Sequence, residues 1–206
     1  MLYDITPPVT PRLKVWPGDT PMSREVLLDM QRGDNITLST LHATVHLGAH
    51  ADGANHYAKN APGIEARPLH HYLGPCQVVS VPAERNRRVA LQDIPVPIDQ
   101  PRVLFHTKTY PDPDVFNEDF AALEPALIDA LARRGVLTIG IDTPSVDLFT
   151  SQDLPAHQAF LRNDMAILEG LVLSNVPDGV YDLIALPLKL VGFDASPVRA
   201  VLRTID

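Results

Sequence analysis

The sequence is poor in several things, and each shortage excludes a class of protein. It has one cysteine, Cys76, among 206 residues. A lone cysteine has no partner within the chain, so a disulfide-stapled fold is ruled out. No run approaches the ~18 consecutive apolar residues that cross a bilayer. The nearest, Leu183 to Phe193, is broken by Pro187 and Lys189. The opening Met1-Leu2-Tyr3-Asp4-Ile5 lacks the basic and apolar regions of a signal peptide, so a cytoplasmic location is expected. Basic side chains are also scarce: Lys plus Arg is 17 against 25 Asp plus Glu, a formal net charge of −8. Nucleic-acid backbones and anionic membranes are therefore not expected partners.

Proline is abundant. The 20 prolines are about twice the usual ~5% share and favour many short elements over a helical bundle. With 45% hydrophobic and 20% charged residues, the composition is globular. A chain of this length buries roughly 70% of its unfolded surface.

Alternating or compact apolar stretches predict strands over 24–30, 36–47, 76–81, 103–106 and 136–141, and two more over 181–190 and 196–205. Leu123, Leu127, Ile128 and Leu131 share one face of a helix, with Pro125 in its first turn and Gly135 at its stop. A second helix is predicted over 155–163, started by Asp153. Pro7, Pro8, Pro11, Pro17 and Pro21 keep the N-terminal stretch extended, and Trp16-Pro17-Gly18-Asp19 reads as a tight turn. The whole, residues 1–206, reads as one mixed α/β domain.

The chemistry concentrates in His46-Leu47-Gly48-Ala49-His50-Ala51-Asp52-Gly53-Ala54-Asn55-His56, where three of the eight histidines and a carboxylate fall together. Imidazole and carboxylate suit Zn²⁺ or Mn²⁺. In an extended strand, positions four apart lie ~13 Å from each other, too far to share an ion. Gly48 and Gly53 disfavour a helix, so the expectation is a strand ending near Leu47 and bending at Gly48. Spacing alone leaves metal binding open, because no single regular motif is matched. His42 reads as structural, Cys76 as inert core, and Arg85, Arg87 and Arg88 as a solvated loop. Of His70 and His71, one is expected to face solvent; His106, ending a predicted strand, is a candidate for a cleft rim. Ser145 and Ser151 sit in no Gly-x-Ser-x-Gly elbow, which rejects a serine hydrolase.

The run His46-x-Gly48-Ala49-His50-Ala51-Asp52-x-x-x-His56 resembles the signature of the metal-dependent cyclase-type amidohydrolases, whose best-known members are bacterial kynurenine formamidases. Gly140-Ile141-Asp142-Thr143-Pro144-Ser145-Val146-Asp147 resembles a second block of that family. Leu154-Pro155-Ala156-His157 with Ile167-Leu168-Glu169-Gly170-Leu171 resembles a third, and Trp16-Pro17-Gly18-Asp19 a fourth. The blocks occur in the family's order along nearly the whole chain.

The resemblance implies a cyclase-like, swivelling β/β/α fold and two zinc ions per subunit, with Mn²⁺ as an alternative. His46 and His50 would bind one ion, His157 and Glu169 the other, and Asp52 would bridge them. His56 would be the proton donor and acceptor, Trp16 would line the substrate pocket, and Asp142 and Asp147 would support the site from behind. The implied reaction is hydrolysis of N-formyl-L-kynurenine to L-kynurenine and formate in tryptophan breakdown, by a homodimer as in relatives. Relatives commonly carry a proline after the bridging Asp; Gly53-Ala54-Asn55 here predicts a less rigid loop around His56. Ala49, where many relatives of other specificity have Thr, favours the formamidase branch. Two competing readings are a cyclic-amide hydrolase of the isatin hydrolase type and a non-catalytic metal-binding protein of the same fold.

Overall fold

The structure, a computed structural model, describes residues 1–205. In chain order the first strands are β1 (Leu2–Asp4), β2 (Ser23–Leu28), β3 (Leu38–His42), β4 (His50–Asp52), β5 (Leu73–Ser80), β6 (Arg88–Val89) and β7 (Arg102–His106). They are followed by β8 (Ala122–Leu123), β9 (Thr138–Ile141), β10 (Ala166–Glu169), β11 (Gly179–Ile184), β12 (Ala195–Pro197) and β13 (Val201–Thr204). Two helices, α1 (Pro125–Ala132) and α2 (Pro155–Arg162), complete the frame.

Nine strands form one sheet in the order β1-β13-β11-β5-β7-β9-β10-β4-β12. Its centre, β5-β7-β9-β10, is parallel, and the flanking pairs are antiparallel. Every residue of β7, β9 and β10 is buried, which is why β7 and β9 read as compact apolar runs; β10 was not expected as a strand. Val78, Leu104 and Leu168 face one core with Ile5, Tyr72 and Leu202. Val79, Phe105, Ile139 and Ile167 face the other, under Leu127, Ile128 and Leu131 of α1 and Phe160 of α2. Cys76 is fully buried in the first core.

Several boundaries differ from expectation. The second strand stops at His42 rather than Leu47, and the 181–190 stretch is a strand only to Ile184. Residues 196–205 split into β12 and β13. Asp153 does not start α2, whose N-cap Leu154 makes no side-chain cap. The carboxylate of Asp147 reaches in instead, accepting from the amides of Ala156 and His157 at 3.1 Å each. This partner eight residues before the helix satisfies the orphan donors of the first turn. Arg88 is likewise no loop residue: its guanidinium lies 2.7 Å from Asp147 Oδ1 and is half-buried.

Two glycines join β4 to its neighbour. Gly48 at φ 58 and Gly170 at φ 65 stand just before β4 and just after β10, which pair antiparallel. A Cβ on Gly170 would collide with the Gly48 carbonyl. The substitution Gly170→Ala is therefore expected to destabilise by about 1–3 kcal/mol, from left-handed strain plus forced separation of the strands. Denaturant unfolding checks this; an unchanged midpoint would show that the approach is not required.

Candidate metal centre

Register builds the centre. His50 and Asp52 are two apart on β4 and so project from one face, while Ala51 between them turns into the first core. Glu169 of β10 lies directly opposite His50 in the ladder. His157, in the first turn of α2, meets them from the helical layer. His46 precedes the strand and folds back through the turn at Gly48, so it does not need to span an extended segment.

These side chains converge. His46 Nδ1 is 3.4 Å and His50 Nε2 3.5 Å from Asp52 Oδ1. His157 Nε2 is 3.5 Å from the other oxygen, Oδ2. Glu169 sits between the two sides, with Oε2 3.2 Å from His50 Nε2 and Oε1 3.7 Å from His157 Nε2. Asp52, His50, His157 and Glu169 are each no more than 3% exposed, so desolvation gives these charges large leverage.

The fit to a cation rests on unpaired atoms. Both Asp52 oxygens and His50 Nε2 are buried with no hydrogen-bond partner. Buried carboxylate oxygens without donors are costly unless a cation faces them. The nitrogens turned away from Asp52 are all engaged. His46 Nε2 lies 3.0 Å from Asp194 Oδ2, His50 Nδ1 2.8 Å from the Gly48 carbonyl, and His157 Nδ1 2.8 Å from Asp147 Oδ2. An oxygen on the outer nitrogen fixes the tautomer that leaves the inner lone pair free, the arrangement that metal-ligating imidazole requires. His46, His50 and Asp52 therefore fit a divalent ion, and Asp52, His56 and His157 form another group whose ligand atoms lie close together, with Glu169 Oε1 3.7 Å from His157 Nε2.

In the metal-free protein the same contacts hold protons. Burial alone would lower both imidazoles, but Asp52 and Asp194 push His46 up to about 9. Asp147 and Asp52 push His157 up to about 10. Against its own burial, Asp52 is held well below the usual carboxylate range by His157 and His46. His56 behaves oppositely: burial lowers it, which favours its neutral form. It lies beside the cluster, Nδ1 3.6 Å from Asp194 Oδ2, with its ring 4.3 Å from that of His46. The loop before it is pinned, with Gly53 N donating to Asp194 O at 2.8 Å and Asn55 N to Pro62 O at 3.2 Å. The looser loop expected from Gly53-Ala54-Asn55 is thus tied at both ends.

The centre forms one end of a cavity of about 820 Å³, lined by five of the eight histidines, His106 among them. Trp16 lines the same cavity, its ring 5.0 Å from Phe149 and 5.7 Å from Phe116. The turn expected there is present, closed by Asp19 N donating to Trp16 O. His42 pairs with Glu25 on the surface. His71 is buried, its Nδ1 3.1 Å from the Leu137 carbonyl, while His70 is exposed. Sequence reading missed Asp194, which lies 148 residues from His46 and carried no local signal.

A mixed sheet whose glycine turns gather buried histidines and carboxylates beneath an aromatic-lined cavity defines a class: α/β proteins with a candidate metal centre of hydrolytic type. A family model described as "Putative cyclase" matches residues 3–148. A kynurenine formamidase of Bordetella petrii is 42% identical, the match covering 99% of this chain and 98% of that protein. The chain belongs to this cyclase family. A solved potential metal-dependent hydrolase with cyclase activity superposes with a TM-score of 0.85 at 29% identity, covering 98% of this chain and 96% of the other. Isatin hydrolase A of Labrenzia aggregata shares the fold, with a TM-score of 0.81 at 22% identity over 98% of this chain and 93% of its own. No helix among the described residues is long and apolar enough to cross a membrane.

Two expectations follow from the protons and the outer carboxylates. Because the His46 and His157 pKa values are raised above the ordinary 6.5, the stability they lend the metal-free protein is present below that pH. It is lost as pH rises through about 9 and 10. A metal must displace those protons, so uptake of a divalent ion such as Zn²⁺ at pH 7 should release protons, and affinity should climb with pH. Titration in weakly buffered indicator reads this directly; proton-neutral uptake would contradict it. Asp194→Ala should weaken Zn²⁺ binding about 10–100-fold, as loss of an outer carboxylate does elsewhere, measured by competition with a chelator.

Proposed function

We propose that this chain is a metal-dependent kynurenine formamidase, hydrolysing N-formyl-L-kynurenine to L-kynurenine and formate with two zinc ions per subunit. The carrying observation is the buried Asp52 carboxylate, whose two unpartnered oxygens face separate histidine groups. The substrate is supported by 42% identity over 99% of the chain to a kynurenine formamidase. His46, His50 and Asp52 are read as holding one ion, and Asp52, His157 and Glu169 the other. When bound, such ions polarise a carbonyl and lower the pKa of a water from 15.7 towards about 7. Manganese is the alternative occupant, and the enzyme is read as a cytoplasmic homodimer.

The remaining chemistry belongs to this chain's side chains. Water adds to the formyl carbon, the carbon–nitrogen bond breaks, and the departing anilide nitrogen must gain a proton. His56, favoured in its neutral form by burial and open to the cavity, accepts a proton early and delivers it to that nitrogen. Trp16, backed by Phe149 and Phe116, gives the aryl ring an apolar wall, worth about 0.5–1.5 kcal/mol beyond the area covered.

Loss of formyl-kynurenine absorbance, measured beside isatin and simple formanilides, tests the reading together with metal analysis. His56→Ala should lower kcat about 10²–10⁴-fold with metal content near that of the parent. His50→Ala should instead deplete metal. Hydrolysis of isatin in preference to every formamide would move the assignment to the cyclic-amide hydrolases, and metal without turnover of any of them to a binding protein.

A further inference from the structure

The cavity has a second polar wall that the reaction does not use. Lys108, Asp142 and His106 line it, where β7 and β9 end. Lys108 holds φ 62, a left-handed conformation disfavoured for a residue with a Cβ. Asp142, buried at the end of β9, enforces it. Its Oδ1 accepts from Thr107 N at 3.0 Å and Thr107 Oγ1 at 2.7 Å, and its Oδ2 from Lys108 N at 2.8 Å. Thr109 adds a further tie, its hydroxyl 2.8 Å from that of Thr107. A strained backbone fixed by a buried carboxylate orients one side chain, and that side chain is an exposed lysine on a substrate-sized cavity. Lys108 forms no ion pair among the described residues; the nearest pairing on this wall is His106 with Asp142 at 3.8 Å.

A cation held at a cavity wall recognises an anion. With the formamide at the metal-site end and the aryl ring along Trp16, the ortho side chain of formyl-kynurenine carries its carboxylate away from the reacting bond. Simple formanilides and isatin have no such group. We propose that Lys108 is a specificity-determining residue that pairs with the carboxylate borne by the leaving aryl amine, so that amino-acid formanilides are preferred over neutral ones. The inference rests on the formamidase reading. Lys14, the other lysine on the cavity, lies on the extended N-terminal stretch, with no comparable backbone constraint.

The test compares kcat/KM for N-formyl-L-kynurenine and formanilide in the parent, K108Q, K108M, K108R and K14Q, with circular dichroism to verify folding. K108Q and K108M should lower the formyl-kynurenine to formanilide ratio about tenfold or more, as expected for loss of a charge-assisted hydrogen bond, and chiefly through KM. K108R should restore most of the ratio, and K14Q should leave it within about twofold. An unchanged ratio in both neutral variants, or an equal fall in K14Q, overturns the assignment to Lys108 while leaving the formamidase reading intact. A parent inactive on both formamides overturns both.

Discussion

A carboxylate buried with both oxygens lacking hydrogen-bond donors cannot stand alone. Removing such a charge from water costs several kcal/mol, and no backbone amide or hydroxyl is spent on Asp52 to offset it. Cations must therefore face it from both sides, as protons on His46 and His157 or as metal ions in their place. The surrounding architecture follows from that demand. The β4–β10 register sets Glu169 across from His50. The glycine turns let β4 and β10 approach where a side chain on Gly170 would collide, and α2 is capped at a distance so that its first turn can present His157.

The outer partners make the arrangement more than a cluster of charges. The three imidazoles nearest Asp52 each turn one nitrogen inward and meet an oxygen with the other. Two of these oxygens belong to carboxylates, which raise the basicity of the inner nitrogen as well as orienting the ring. Asp147 does three things at once: it accepts from His157, closes the first turn of α2, and pairs with Arg88. Such sharing couples helix stability to ring orientation. Arg88 offsets part of the negative charge that accumulates when four carboxylates stand within reach of three histidines.

Beyond the distant positions that the family resemblance pointed to, what could be read from the sequence was what is local. The histidine–carboxylate cluster over 46–56, the bend at Gly48, the helix after Pro125 and the central strands β5, β7 and β9 all carry their signals within a few residues, as periodicity, turn chemistry or composition, whereas β10 was not read as a strand. The lengths of β3 and β11 could not be read that way, since strand ends are set by the partner available and not by propensity. Asp153 looked like a helix start because Asp commonly caps; Asp147 took that place through a loop whose path no local pattern encodes. Arg88, Asp194 and Lys108 escaped for the same reason. Their neighbours lie 59, 148 and 34 residues away, and a lone Arg, Asp or Lys has the same local appearance on a solvated loop as at a site.

The cavity is lined by two kinds of structure. The candidate ligands sit at strand and helix termini anchored by the two cores, where close packing beneath them resists displacement. The aromatic and lysine walls come from residues 13–19 of the proline-rich N-terminal stretch and from Lys108, Tyr110, Pro111 and Pro113 after β7, none of which lies in a strand of the nine-stranded sheet. Loops of this kind accept changes in side chain and length without disturbing the scaffold. Isatin hydrolase A shares this fold at 22% identity, and one fold can carry different sites on segments of this kind.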